Sequence, residues 1–149
     1  MDRECYPYMQ LKVEEYFFVS NGKRKIAKSV TFDQAADKTV NLCFGDLRPD
    51  GGIDDKADSN NGDIVKVIAT VLNILRQFCM QHPDTRVYIE GSTKLRTLLY
   101  NRVLNNYYTI LSREFSILCY ANNYDDIRLV PFDAQHKWQY WAFLITKQS

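Results

Sequence analysis

The string GSTKLRTLLY, residues 91–100, holds the densest set of groups able to grip an anion. A glycine precedes two hydroxyl residues, Ser92 and Thr93, where a helical pattern begins, and the cation Arg96 follows one turn later. Unpaired N–H groups at a helix start, two hydroxyls and a guanidinium together suit a phosphate or a carboxylate. The plainer use of the same string is an N-cap, in which Ser92 or Thr93 accepts from the backbone for about 1 kcal/mol. A second string, SNNGDIVK at 59–66, opens an earlier helix and supplies Asn61, Asp63 and Lys66. It ends an acidic stretch in which Asp46, Asp50, Asp54, Asp55, Asp58 and Asp63 stand against Arg48 and Lys56. That spacing lacks the glycine and distal glutamate of a calcium loop, so the stretch reads as solvated and no metal is expected.

Other chemistries find little support. The two histidines, His82 and His136, sit at a helix end and in a loop, away from any serine or cysteine nucleophile pattern. Phosphate-loop, dinucleotide, zinc-protease and nucleophile-elbow motifs are missing, and no cofactor is implied. Gly91-Ser92 after a strand has the form of a nucleotidyltransferase opening, but such an enzyme needs carboxylates soon afterwards, and residues 100–106 read YNRVLNN. Lys23, Arg24, Lys25 and Lys28 form a short basic cluster that would be the contact surface of a nucleic-acid binder. A solvated hairpin edge explains it more simply. Of the helical tyrosines, Tyr107 reads as core and Tyr108, on the polar side, as an interface residue.

These groups depend on the elements that carry them. Residues 13–20 and 23–32 are β-branched and aromatic runs separated by Asn21-Gly22, the signature of a two-residue type I′ hairpin. Residues 39–44 alternate as a third strand, and 45–62 form an exposed loop. From Asp63 to His82 a polar stripe of Lys66, Thr70, Asn73, Gln77 and Gln81 runs along an otherwise apolar helix that Pro83 ends. A strand at 86–90 leads to a second helix running to about Phe115, with Leu95, Leu99, Val103, Tyr107 and Ile110 on the core face and Lys94, Thr97, Asn101, Asn105 and Ser112 outside. Strands at 116–120, 127–132 and 138–146 follow. The last is apolar on both faces, which places it centrally in the sheet or at an interface. The order β-β-β-α-β-α-β-β-β predicts an α+β fold, a single domain over 1–149, with two long helices packed on one face of a mostly antiparallel sheet.

The first helix climbs about 30 Å and the strand after it runs back roughly 17–20 Å. The second helix should therefore start near the end where the first one starts. This brings Asn61, Asp63 and Lys66 towards Ser92, Thr93, Arg96 and Tyr100, with Asp63 and Arg96 paired.

A chain of 149 residues with 19 basic and 18 acidic side chains has a net charge of +1, which gives no general pull towards nucleic acid or an anionic membrane. The four cysteines, at 5, 43, 79 and 119, are spaced for neither zinc nor disulfide frameworks and read as free thiols. Without a signal-peptide pattern or an uninterrupted apolar span, the expectation is a cytoplasmic protein off the membrane.

The strings YFFVS, NLCFGD, SNNGDIVKVIATV, GSTKLRTLLY and YWAFLIT together resemble a family of small uncharacterised proteins from Bacteroidetes, catalogued as a domain of unknown function. The matching positions are Asn60, Asn61, Gly62, Asp63, Lys66, Gly91, Ser92, Thr93, Arg96, Thr97, Leu99 and Tyr100. Leu98 departs from the arginine expected there, and Cys119-Tyr120 from a glycine. The resemblance implies a single-domain cytosolic bacterial protein with no assigned activity. The reading is a non-enzymatic binding or regulatory module, a homodimer, working through the surface around the two helix N-termini on a protein partner or a small anionic ligand. An enzyme or sensor for a small phosphorylated or nucleotide ligand at Ser92, Thr93 and Arg96 is the alternative, and a nucleic-acid binder the third.

Overall fold

The computed structural model describes residues 5–50, 52–54, 61–91, 93–120, 129–133 and 140–148. The chain opens with β1 (Tyr8–Lys12), β2 (Glu15–Asn21), β3 (Lys25–Ala36), β4 (Thr39–Leu47) and the short β5 (Ile53–Asp54). Helix α1 (Ile64–Gln81), β6 (Arg86–Glu90), helix α2 (Lys94–Leu111), β7 (Phe115–Tyr120), β8 (Leu129–Pro131) and β9 (Ala142–Lys147) follow. The strands make one sheet in the order β1-β2-β3-β4-β6-β9-β7-β8, with β5 beside β4. Every pairing is antiparallel except β4 with β6, so the fold is α+β with a mostly antiparallel sheet.

The period-two alternation buries one face of this sheet. Tyr16, Val30 and Phe44 lie opposite one another across β2, β3 and β4 and are all buried. Val87, Ile145 and Ile117 continue that face across β6, β9 and β7. Both helices cover it. Phe78 of α1 stacks on Phe32 of β3 at 3.9 Å between ring centroids, and Tyr100 of α2 meets the Phe44 ring edge-on at 6.2 Å. Burying each such side chain contributes roughly 1.5–3 kcal/mol, which neither helix could gain while leaving its stripe wet. The two helices start at the same end of the sheet, beside the β2–β3 turn and the end of β4, and Arg76 joins Glu114 with two bonds of 2.6 and 2.7 Å at the other.

Several local expectations change. The 13–20 run contains a turn at Val13–Glu14, because a separate strand, β1, precedes it. The polar stripe of α1 is what holds β1 in place. Thr70 Oγ1 accepts from the Tyr6 N–H at 2.8 Å, Gln77 Oε1 from the Tyr8 hydroxyl at 2.8 Å, and Gln81 Oε1 from the Gln10 amide at 3.1 Å. The β2–β3 connection runs over residues 22–24 and is not a type I′ turn. Gly62 is the sole glycine with positive φ among the described residues, and Gly22 is required for space, since a Cβ there would lie 1.9 Å from the Asn61 carbonyl oxygen.

The predicted loop at 45–62 includes the end of β4 and all of β5. Helix α2 stops at Leu111 and presents a face rotated by about one residue: Leu95 and Ile110 are exposed, while Tyr100, Leu104 and Leu111 are buried. Asn101, expected to face out, clamps Tyr140 by accepting from its N–H at 2.9 Å and donating to its carbonyl at 2.7 Å. Tyr108 stacks on Phe132 at 4.9 Å instead of presenting an interface. The last strand lies between β6 and β7, as its two apolar faces required, though its expected first residues, 138 and 139, fall outside the described ones.

Candidate functional site

At the start of α1 a polar network replaces the expected ion pair. Asn61 is 4% exposed and reads the β2–β3 turn: its Oδ1 accepts from the Arg24 N–H at 2.8 Å, and its Nδ2 donates to the Arg24 carbonyl at 2.7 Å and to Ser20 Oγ at 2.9 Å. Ser20 passes its own proton to Asp63 Oδ2 at 2.5 Å, and the Tyr6 hydroxyl donates to the same oxygen at 2.5 Å. Burial, followed by the Asp63 carboxylate beside it, raises the pKa of the Tyr6 phenol and keeps it a donor. Asp63 occupies the N-cap position of α1, yet its side chain caps nothing, because both hydroxyls draw it towards β1 and β2. The first turn of α1 also carries no acid.

Lys66, in the first turn of α1, lays its ammonium 4.3 Å from the centre of the Tyr6 ring and lines a groove of about 590 Å³. The groove is bounded by residues 6–9 on one side and by Phe17, Phe18, Val19 and Asn21 on the other, with Lys25 as its second cation.

The start of α2 is a separate structure. Thr93 caps it, its Oγ1 accepting from the Arg96 N–H at 3.2 Å. Gly91 is required because a Cβ there would lie 2.2 Å from Thr97 Oγ1 and 2.4 Å from Thr97 N. Arg96 is 7% exposed; its Nη1 donates to the Phe44 carbonyl at 2.9 Å and its guanidinium lies 4.6 Å from the Phe44 ring centre. Tyr100 is buried one turn on, and burial pushes its phenol pKa up, against a smaller lowering from Arg96. Ser92 lies outside the described residues.

Asp63 and Arg96 do not pair. Asp63 is anchored on Ser20 of β2 and Arg96 on Phe44 of β4, and the register Tyr16–Val30–Phe44 sets these anchors two strands and four residues apart. That is roughly 10 Å across the sheet and roughly 13 Å along it. The space between is taken by Lys28, expected on a solvated edge but only 3% exposed, which lies beside Phe18 and Asp46 in register and forms an ion pair with Asp46. Placing one of the four basic residues of 23–28 under the helices removes it from any nucleic-acid surface. Asp46 likewise belongs to β4 and this pair, not to a solvated loop.

Sequence reasoning therefore missed Tyr6, Ser20, Lys28 and Asp46. Lys28 had a legible signal, since it falls two residues before Val30 and so on the buried side of its strand. Among the described residues no group of three or more histidine, cysteine or carboxylate side chains is placed to hold a metal. None of the four cysteines is in a disulfide, and Cys79 and Cys119 are buried, with their thiol pKa pushed up to about 12 by burial. His82 ends α1 and packs 4.5 Å from the Phe78 ring, while His136 lies outside the described residues.

The chain belongs to the family of unknown function DUF6934, whose family model matches residues 2–148. No curated protein and no solved structure matches it.

Proposed function

We propose that this member of DUF6934 is a non-enzymatic binding or regulatory module that holds a small anionic group at the N-terminus of α1, beside Lys66. The observation that carries the reading is the side-chain cap that α1 does not have. A helix start concentrates roughly half a unit of positive charge on its unsatisfied N–H groups, and a side-chain oxygen or an acid in the first turn commonly answers it. Here Asp63 gives its carboxylate to Tyr6 and Ser20, so no side chain among the described residues caps the first turn, and the Lys66 ammonium is at hand. Thr93 and Arg96 at the other helix start are committed to a cap and to Phe44, which favours α1 over α2. The reading retains a cytoplasmic bacterial protein, of Bacteroidetes origin, working as a homodimer.

Thermal unfolding with inorganic phosphate, sulfate and acetate tests it. A ligand at 100 times its Kd adds about 2.7 kcal/mol to stability. Sulfate and phosphate also stabilise proteins generally by exclusion, so the informative quantity is the difference from Lys66→Gln. The expected result is a saturable shift that Lys66→Gln removes. Equal shifts in both proteins, or none in either, would refute the anion site and leave a protein partner as the working alternative.

A further inference from the structure

The groove beside Lys66 is too large and too apolar for a bare phosphate. It exists because β1 leaves β2 early. Tyr8 pairs with Phe18 and Met9 with Phe17, so Pro7 falls opposite Val19. Pro7 has no N–H to continue the ladder, and the chain turns instead to Thr70 of α1, where the Tyr6 N–H is bound. Val19 pairs with Ala27 of β3 but has no register partner in β1. The resulting space of about 590 Å³ falls in the range of sites that enclose a drug-sized molecule. Its walls are Tyr6, Pro7 and Tyr8 on one side and Phe17 and Val19 on the other, and its charged lining groups among the described residues are Lys25 and Lys66. Asp63, which accepts from the Tyr6 hydroxyl, takes a second hydroxyl donor, Ser20, on the same oxygen.

We propose that the occupant is an amphipathic acid, with its carboxylate at Lys66 and an alkyl or aryl body laid along the aromatic walls towards Val19. This rests on the anion reading of Lys66 given above and adds the chemistry of the rest of the ligand. The Tyr6 ring under the ammonium holds that charge beside α1, which sets the carboxylate head there and leaves the aromatic walls for the body. Each methylene that leaves water on binding is expected to tighten it by about fourfold. The Lys66 charge contributes to acids and not to the matching alcohol.

Calorimetric titration of the full chain with octanoate, acetate and octan-1-ol tests the proposal. Octanoate is expected to bind at least tenfold more tightly than acetate and several-fold more tightly than octanol. Lys66→Gln should abolish the preference for octanoate over octanol, and Val19→Gln, at a position already 37% exposed, should weaken octanoate about fivefold or more. Circular dichroism establishes that both variants fold. If acetate and octanoate bind alike, and both need Lys66, the apolar body is wrong while the anion site stands. Octanoate and octanol binding alike in the natural protein would overturn the amphipathic acid. If phosphate, acetate and octanoate all fail to bind, both proposals fall.

Discussion

Replacing Asn61 with alanine should cost about 2–4 kcal/mol. The side chain makes three hydrogen bonds, two to Arg24 and one to Ser20, and is 4% exposed. Each such bond contributes about 0.5–1.5 kcal/mol net, and a buried partner left unmade costs more than an exposed one. Arg24 lies in an exposed turn, where water can replace part of the loss, whereas Ser20 is fully buried. Ser20 still donates to Asp63, so it forfeits an acceptor contact rather than its donor, and the total stays near the middle of the range.

For a chain of this size, 1 kcal/mol corresponds to about 2–4 °C in Tm, so a fall of about 6–12 °C is expected, with an unchanged denaturant slope in urea unfolding. Asn61→Asp gives an independent control. It keeps an acceptor for the Arg24 N–H but exchanges the amide donor for a second carboxylate close to the Ser20–Asp63 pair, so it should be worse than alanine at neutral pH and recover in acid. A loss under about 1 kcal/mol for Asn61→Ala, or an aspartate variant more stable than the alanine one, would refute this account of the clasp.

Gly91→Ala should destabilise by about 2 kcal/mol or more, since the new Cβ meets the Thr97 backbone nitrogen at 2.4 Å and backbone cannot rotate away; thermal melts check it. Glu114→Gln should cost under about 1 kcal/mol at neutral pH, because the pair with Arg76 is more than a third exposed and water screens it. The Arg76 hydrogen bonds hold the Glu114 pKa below its usual value, so the stabilisation is present above the unfolded pKa of about 4.3 and lost as pH falls through the lower folded value. The two proteins' stabilities, measured from pH 7 down to 3, should converge at the acid end. Finally, Cys79 and Cys119 should resist alkylation in the native protein at pH 8 and react fully in urea, as read by mass, because burial both blocks them and pushes their pKa up to about 12.

The parts of the fold legible in the sequence are those whose signal is local. Helix α1 announced itself by its stripe and its terminating Pro83, and β9 its central place by two apolar faces. Strand β1 had no such signal. Four of its five residues are exposed, and besides its pairing with β2 it is bonded to Gln77 and Gln81, some seventy positions away, which no local pattern foretells. Helix α2 was legible as a helix, with Leu99 and Val103 buried as expected, but only part of its core face was. Apolar residues lie nearly all round it, so its periodicity admits two core faces about one residue apart, and the packing of Tyr100 and Arg96 on Phe44 selects between them.

The same contrast governs the site. Helix lengths correctly implied that α1 and α2 start at one end of the sheet, but lengths say nothing about lateral spacing, and β3 with its Lys28–Asp46 pair stands between Asp63 and Arg96. What shapes the candidate site is a residue no motif singled out. Strand β1 is an edge, and it is guarded as edges commonly are, by shortness, a register irregularity between Gln10 and Lys12, and the Lys12 charge. Pro7 belongs to the same set of guards, since it ends the ladder before a longer flat edge can form. By ending it there, Pro7 also parts β1 from β2, sends Tyr6 to Asp63 and Thr70, and opens the space in which Lys66 stands. One imino acid thus limits edge pairing and creates the groove, and the candidate site follows from how the sheet ends as much as from the motif at the start of α1.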